Sequence, residues 1–269
     1  MITPLIIITG DKYRHLYFAQ YLLNYFPEAR LIIERQPPAA WGAHLDSPTT
    51  LAQEHFTAFR ATEEIFFGAL TTASEELLAQ RTICQIETGA INHPEIIDIL
   101  SGYKPCALAT LSTSILGPAF IRTFPGIIVN YHAGLSPFYR GSGTNVFPIC
   151  NREPEYIGAT IHYIDEGIDS GDIIVQGRPE FSLDDDSHTL GCKTLIKGTE
   201  LMRQAAELLL AGTPPKGHRQ DLAKGRFYPL SAFTDDAIRS LHTAISDGII
   251  SNYAQQRPIH VDIQEDIVT

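Results

Sequence analysis

The amino-acid sequence predicts an α/β protein: a mainly parallel sheet with helices on both faces, followed by a small C-terminal subdomain. Three observations carry this. Short apolar runs such as "PLIIITG" and "CALATL" alternate with longer stretches of helical period over the first two thirds of the chain, the pattern of strand–helix–strand units that build a parallel sheet. Beyond that region two strand-like runs lie close together and are followed by one long helical stretch. A length of 269 residues, 44% of them hydrophobic, suits one large domain with a small appendage.

In chain order, "PLIIITG" reads as a buried strand, "RHLYFAQYLLNYF" as a helix and "ARLIIERQ" as a second strand. The stretch "PPAAWGAHLDSP", containing Trp41 and three prolines, interrupts the regular pattern; a lid is one use for it, and the sequence assigns none. "TLAQEHFTAFRATEEIFFGAL" then predicts a long helix, "TICQIE" a strand, "HPEIIDILSGY" a helix with Pro94 near its start, "CALATL" a strand, "GPAFIRTF" a short helix and "GIIVNYH" a strand. "IGATIHYID" and "DIIVQGRPEF" are two further strands joined by "EGIDSG". The long helix "SHTLGCKTLIKGTELMRQAAELLLAG" has Ser187 as its expected N-cap and Gly212 as its expected stop. "TPPKGH" reads as a linker, "KGRFYP" as turn-like or strand-like, and "TDDAIRSLHTAISDGI" as a last helix. The expected division is a catalytic domain over 1–212 and a small subdomain or tail over 213–269.

The net charge of −11 argues against nonspecific binding to nucleic acid or to an anionic membrane, since both need a cationic surface. Cys84, Cys106, Cys150 and Cys192 are scattered singly, without the tight spacings of zinc sites or redox dithiols, so no metal is expected and the thiols read as reduced ones of a cytoplasmic protein. The N-terminal apolar run is too short for a secretion signal or a membrane span.

The chemistry concentrates in "NYHAGLSPFYRG" at 130–141. If "IIVNYH" is a strand, its period of two puts Asn130 and His132 on one face and Tyr131 on the other. In parallel sheets of this kind ligands bind outside the carboxyl ends of the strands, where both residues would sit. An imidazole is the commonest general base near neutral pH. An amide beside it can donate to an oxygen gaining negative charge, and a carboxylate can orient the imidazole. "DEGIDSGD" offers Asp165, Glu166, Asp169 and Asp172 for that role. Ser136 and Ser142 lack the setting of a nucleophile elbow, so direct attack by a substrate amine on an acyl group is more natural than a covalent acyl-enzyme. Spacing alone leaves a structural histidine capping a strand as the alternative.

The wording around these residues is more specific. "NYHAGLSPFYRG" followed by "GATIHYIDEGIDSGDIIVQ" resembles the folate-dependent formyltransferase family, through Asn130, His132, Gly134, Leu135, Pro137, Tyr139, Arg140 and Gly141, then Gly158, Thr160, His162, Asp169 and Gly171. "SILGPAFIRTFPG" is similar to the family's segment leading into the catalytic strand. The resemblance implies a Rossmann-like domain using N10-formyltetrahydrofolate, with Asn130 on the formyl oxygen, His132 taking the amine's proton and Asp169 holding His132 and relaying the proton through water. It implies that backbone groups of Ser114, Ile115 and Leu116, and of Ile164, Asp165 and Gly167 on the loop that runs to Asp169, clasp the pterin. His162 reads as structural. Tyr139, Arg140 and His15 are the substrate-side candidates: Arg140 could meet a phosphate or brace the turn, and His15, beside Lys12 and Arg14, could meet an anion or simply face solvent.

Among members of such a family, a tRNA substrate is disfavoured by the segment after Gly212, which holds six Lys/Arg against seven Asp/Glu and so lacks the cationic excess that phosphates require. "TGDKYRH" after the first strand lacks the Gly/Ser-rich phosphate loop expected of a glycinamide ribonucleotide enzyme, and the first strand begins too early for a regulatory domain before it. The expectation is therefore a small-amine formyltransferase, a nucleotide-linked amino sugar being the favoured substrate, with glycinamide ribonucleotide, hydroxyornithine or a peptide precursor, or a non-catalytic folate-binding protein, as alternatives. A homodimer is possible through the tail.

Overall fold

The computed structural model describes residues 5–35, 50–256 and 261–269; the Trp41 region lies outside them. Five parallel strands, β1 (Leu5–Thr9), β2 (Arg30–Arg35), β3 (Thr82–Glu87), β4 (Ala107–Leu111) and β5 (Ile127–His132), pair side by side. A three-residue strand, β6 (Tyr139–Gly141), then leaves the sheet, and β7 (Ala159–Tyr163) and β8 (Ile173–Gly177) rejoin it antiparallel. The order is β3-β2-β1-β4-β5-β7-β8, which reverses direction between β1 and β4. The strand β9 (Arg226–Tyr228) pairs in parallel with β6.

Apolar strands must be covered on both faces, and they are. Leu5 and Ile7 of β1 point to one side, into a cluster with Phe18 and Leu22 of α1 (Tyr13–Tyr25). After α2 (Thr50–Glu63), α3 (Ala69–Ala73) and α4 (Glu75–Arg81), the other face is closed by α5 (Pro94–Gly102) and α6 (Pro118–Thr123), whose Leu100 and Phe120 meet Ile6, Ile8, Leu108 and Ile128. Each such fully buried side chain contributes about 1.5–3 kcal/mol. The stretch expected to form one long helix carries a π-helical turn, Glu64–Gly68, between α2 and α3.

A short helix α7 (Phe147–Cys150) follows β6, and α8 (Ser187–Leu210) follows β8, its Leu195 and Met202 joining the first cluster. Its N-cap is Asp186, one residue earlier than expected, because the carboxylate accepts from the N–H groups of His188 (2.9 Å) and Thr189 (2.8 Å) and an acid also opposes the helix dipole. Gly212 ends the helix as expected, with φ +75°. The stretch expected as a linker is instead docked on the sheet: Lys216 N–H donates to Val268 O at 2.6 Å, and His218 forms an antiparallel bridge with Ile173. The tail's helices, α9 (Asp235–Ser246) and α10 (Ile249–Gln255), complete a further apolar cluster in which Leu241 and Ile250 meet Ile149 and Leu190.

Candidate active site

Residues 130 and 132 alternate with Tyr131 as period two demands. Tyr131 points into the α8 side, where its hydroxyl donates to Thr194 O at 2.8 Å. Asn130 and His132 point the other way. The antiparallel register sets Asn130 opposite His162 and His132 opposite Thr160, so β7 delivers a second imidazole to the same place.

The hydrogen bonds give each group a direction. Thr110 Oγ1 donates to Asn130 Oδ1 at 2.9 Å, which turns the amide nitrogen toward His162. His162 Nδ1 donates to Tyr163 O at 2.8 Å, leaving Nε2 to accept from Asn130 Nδ2 at 3.1 Å. One N–H of that amide is committed, and an NH2 group has two. His132 Nε2 donates to Tyr139 O at 2.8 Å, so Nδ1, facing Asp169 Oδ2 at 3.3 Å, is the nitrogen that can exchange a proton. The other carboxylate oxygen lies 3.6 Å from His162 Nε2.

His132 is 5% exposed and the Asp169 side chain 13%. Burial pulls the His132 pKa below its ordinary value, opposed by the Asp169 charge and the Tyr139 carbonyl. Burial alone would raise Asp169, but the adjoining imidazoles of His132 and His162 and the Gly141 N–H more than reverse it, holding the carboxyl well below the usual carboxylate range. The pair thus has a neutral, buried base against a carboxylate that stays ionised.

Local backbone makes this possible. Asp169 has φ +49°, a left-handed conformation that ordinary residues hold only when their surroundings impose it. Its Oδ2 accepts from Gly141 N–H at 2.9 Å. Gly141 has φ +90°, and a Cβ there would stand 2.3 Å from Tyr228 O, so only glycine fits between the acid and β9. Gly134 lies so close under the base that a Cβ would sit 2.6 Å from His132 Nε2.

Of the carboxylates in the loop, Asp165 is used locally, accepting from Gly167 N–H (3.0 Å) and Ser170 Oγ (2.8 Å), and Glu166 pairs with Arg122 at 2.7 Å. Asp169 is the one that turns inward beside His132.

The segments expected to clasp a pterin are distributed as follows. Leu116 and Ile164 share one apolar cluster, while Ile115 is exposed. The N–H of Ser114 goes to Glu34 Oε2 at 2.9 Å, and that of Ile164 goes to Ile128 O at 3.0 Å. With the Gly167 N–H on Asp165, three of these backbone N–H groups have protein partners. Glu34, buried at the end of β2, also accepts from Ser114 Oγ and from Gly89 N–H (2.8 Å). It ties three strand ends together.

Two substrate-side expectations are corrected. His15 is fully buried, stacked over Gly10, its Nδ1 accepting from Lys12 N–H at 3.3 Å; it caps its own helix rather than meeting solvent or an anion. Tyr139 is 1% exposed, and its hydroxyl donates to Glu153 while accepting from Asn151 Nδ2 (2.9 Å) and Arg226 Nη1 (2.7 Å). It reaches the site through its backbone carbonyl only. Arg140 Nη1 lies 3.3 Å from Ile168 O, bracing the acid's loop. His162, expected to be structural, touches both Asn130 and Asp169; its place in the Gly-x-Thr-x-His run was the available signal. Among the described residues no group of three or more His, Cys, Asp or Glu side chains could hold a metal. No described helix is long and apolar enough to cross a membrane.

Residues 72–206 match the family model described as formyl transferase, a span that includes β5, β7 and the loop carrying Asp169. The chain belongs to the formyl transferase family. It is 29% identical over 155 residues to the methionyl-tRNA formyltransferase of Pelotomaculum thermopropionicum, a stretch covering 57% of this chain and 49% of that protein; the chain spans about half the length of that curated relative. In fold it is similar to a 4-N formyltransferase from Francisella tularensis (TM-score 0.58, 19% identity, 87% of this chain and 79% of that one). It is similar as well to an N-formyltransferase from Helicobacter canadensis in complex with folinic acid and dTDP-3-aminofucose (TM-score 0.55, 19% identity, 91% of this chain and 80% of that one).

Proposed function

We propose that this protein is an enzyme that moves the formyl group of N10-formyltetrahydrofolate to the primary amine of a small molecule, a nucleotide-linked amino sugar fitting best. The observation that carries the reading is the convergence of an amide, an imidazole and an ionised carboxylate at the tip of β5, with His132 Nδ1 3.3 Å from Asp169 Oδ2.

The bound folate supplies a formyl group on a nitrogen leaving group. Leu116 and Ile164, which share an apolar cluster, are of the side-chain type that suits the flat face of a pterin. In the transfer, a bond forms between the amine nitrogen and the formyl carbon, the bond to N10 breaks, and one proton passes from the amine to N10. Asn130 donates its second amide N–H to the oxygen that gains charge. His132 holds the travelling proton at Nδ1, and Asp169 stabilises the imidazolium so formed. Arg140 stands on the substrate side.

Support for a small substrate comes from the balanced charge of the tail, and support for an amino sugar from the ligands held by the Helicobacter canadensis structure. The cysteines form no disulfide among the described residues, which suits a reducing, cytoplasmic setting. The test is a panel of dTDP- and GDP-linked amino sugars, glycinamide ribonucleotide and hydroxyornithine with N10-formyltetrahydrofolate, read by tetrahydrofolate release. Turnover with an amino sugar nucleotide is expected. Turnover with glycinamide ribonucleotide alone would overturn the substrate assignment.

A further inference from the structure

We infer that Gln220, from the tail of the chain, is the positioning residue that holds Asp169 in the backbone conformation presenting its carboxylate to His132. This rests on the reading of His132 and Asp169 as the acid–base pair.

The argument begins with the backbone of the acid. At φ +49° the left-handed conformation of Asp169 needs outside support. That support comes from one side chain: Gln220 Nε2 donates to Asp169 O at 2.9 Å and to Gly171 O at 2.7 Å. Both hydrogens of the amide are therefore spent on the two carbonyls that flank the turn. Gln220 is 7% exposed, and its Oε1 has no hydrogen-bond partner among the described residues. A flipped amide would set that oxygen against two carbonyl oxygens, so the orientation is determined.

Its placement follows from register. Ile173 and His218 exchange N–H···O bonds of 2.8 Å each way, and antiparallel pairing carried two residues further sets 220 opposite 171. The same tail then supplies β9, whose Tyr228 O accepts from Ser142 N–H at 2.8 Å beside the Gly141 that donates to the Asp169 carboxylate. The acid is held at its backbone by Gln220 and at its side chain by a turn that β9 pins. The appendage is in this way part of the catalytic geometry.

The test is a double-mutant cycle on the full chain with N10-formyltetrahydrofolate and the best amine of the panel. Gln220→Met keeps the side chain's length and removes both donors. We expect kcat to fall about tenfold with KM unchanged, the size of one or two lost hydrogen bonds, and the loss to vanish in an Asp169→Asn background. A purely structural role would lower both backgrounds equally, and that result overturns the proposal, as does full activity in Gln220→Met. A second readout needs no amine: the NMR titration of the His132 ring. His132 faces Asp169, His162 and Arg140, of which only Asp169 loses its support, so its titration should move downward in Gln220→Met; an unmoved titration also overturns the proposal. Should Gln220→Met fail to fold, Gln220→Leu, which also removes both donors without adding charge, is read against the same outcomes. If Asp169→Asn alone retains full activity, the acid–base reading falls and this inference with it. Loss in Asp169→Asn without loss in Gln220→Met overturns the inference alone.

Discussion

His132 and His162 lie beside a carboxylate; His55, His188 and His242 lie beside one another. The second group gathers where α2, α8 and α9 meet, with ring centroids 4.8 Å apart for His55 and His188 and 6.0 Å for His55 and His242, among Phe56, Phe59 and Phe233. Burial and then the neighbouring imidazoles push His55 down to about 4, and Asp186, 3.9 Å from His188, only partly opposes this. Both regions desolvate a histidine. At the tip of β5 a placed carboxylate and a fixed carbonyl leave one nitrogen free to take a proton and make its charged form tolerable, whereas the three-helix junction offers a proton mainly repulsion. Burial by itself disfavours the charged imidazole; an oriented acid beside it offsets that penalty.

The comparison breaks most decisively at its first member. His132→Ala and Asp169→Asn should each lower kcat by about 10²–10⁴-fold while the folded protein persists by circular dichroism; full activity in His132→Ala would end the assignment. Asn130→Ala should cost about 10²–10³-fold in kcat, and a change confined to KM would show that the amide only binds. His162→Ala sharpens the contrast within the site. It removes one hydrogen bond that orients Asn130, so a loss of about tenfold or less is expected, and a loss as large as that of His132→Ala would make it a second base.

The smallest effect on activity belongs to the other region. His55→Phe should leave kcat unaltered and change the pH dependence of Tm. Above pH 6.5 His55 is neutral whether the chain is folded or not, so it contributes no slope. Between 6.5 and about 4 the unfolded chain binds a proton that the folded chain refuses, so its contribution to stability falls as pH drops through this window. Tm of the unaltered protein should decline more steeply there than Tm of the variant. Parallel curves would show that the junction does not titrate as described.

Much of β5 and its neighbours is legible in the sequence. The apolar runs of β1, β4 and β5 announce strands covered on both faces, and a period of two puts Asn130 and His132 on one side whatever surrounds them. The start of α8 was legible to within a residue, the cap being Asp186 where Ser187 is expected. The spacing left four carboxylates open as partner of His132, and the family motif singled out Asp169. The structure shows two of the others spent elsewhere: Asp165 closes its own turn and Glu166 faces Arg122.

Local sequence thus determined the elements and the face on which the amide and imidazole stand, because strand and helix periodicities depend on neighbours a few positions away. Only the tertiary structure decided which groups meet across long separations. The register of β5 against β7 brought His162 to Asn130, the docking of the tail brought Gln220 over Asp169, and the packing of α1 buried His15. Pairings of that kind are set by how whole elements pack, and no short stretch of residues encodes them.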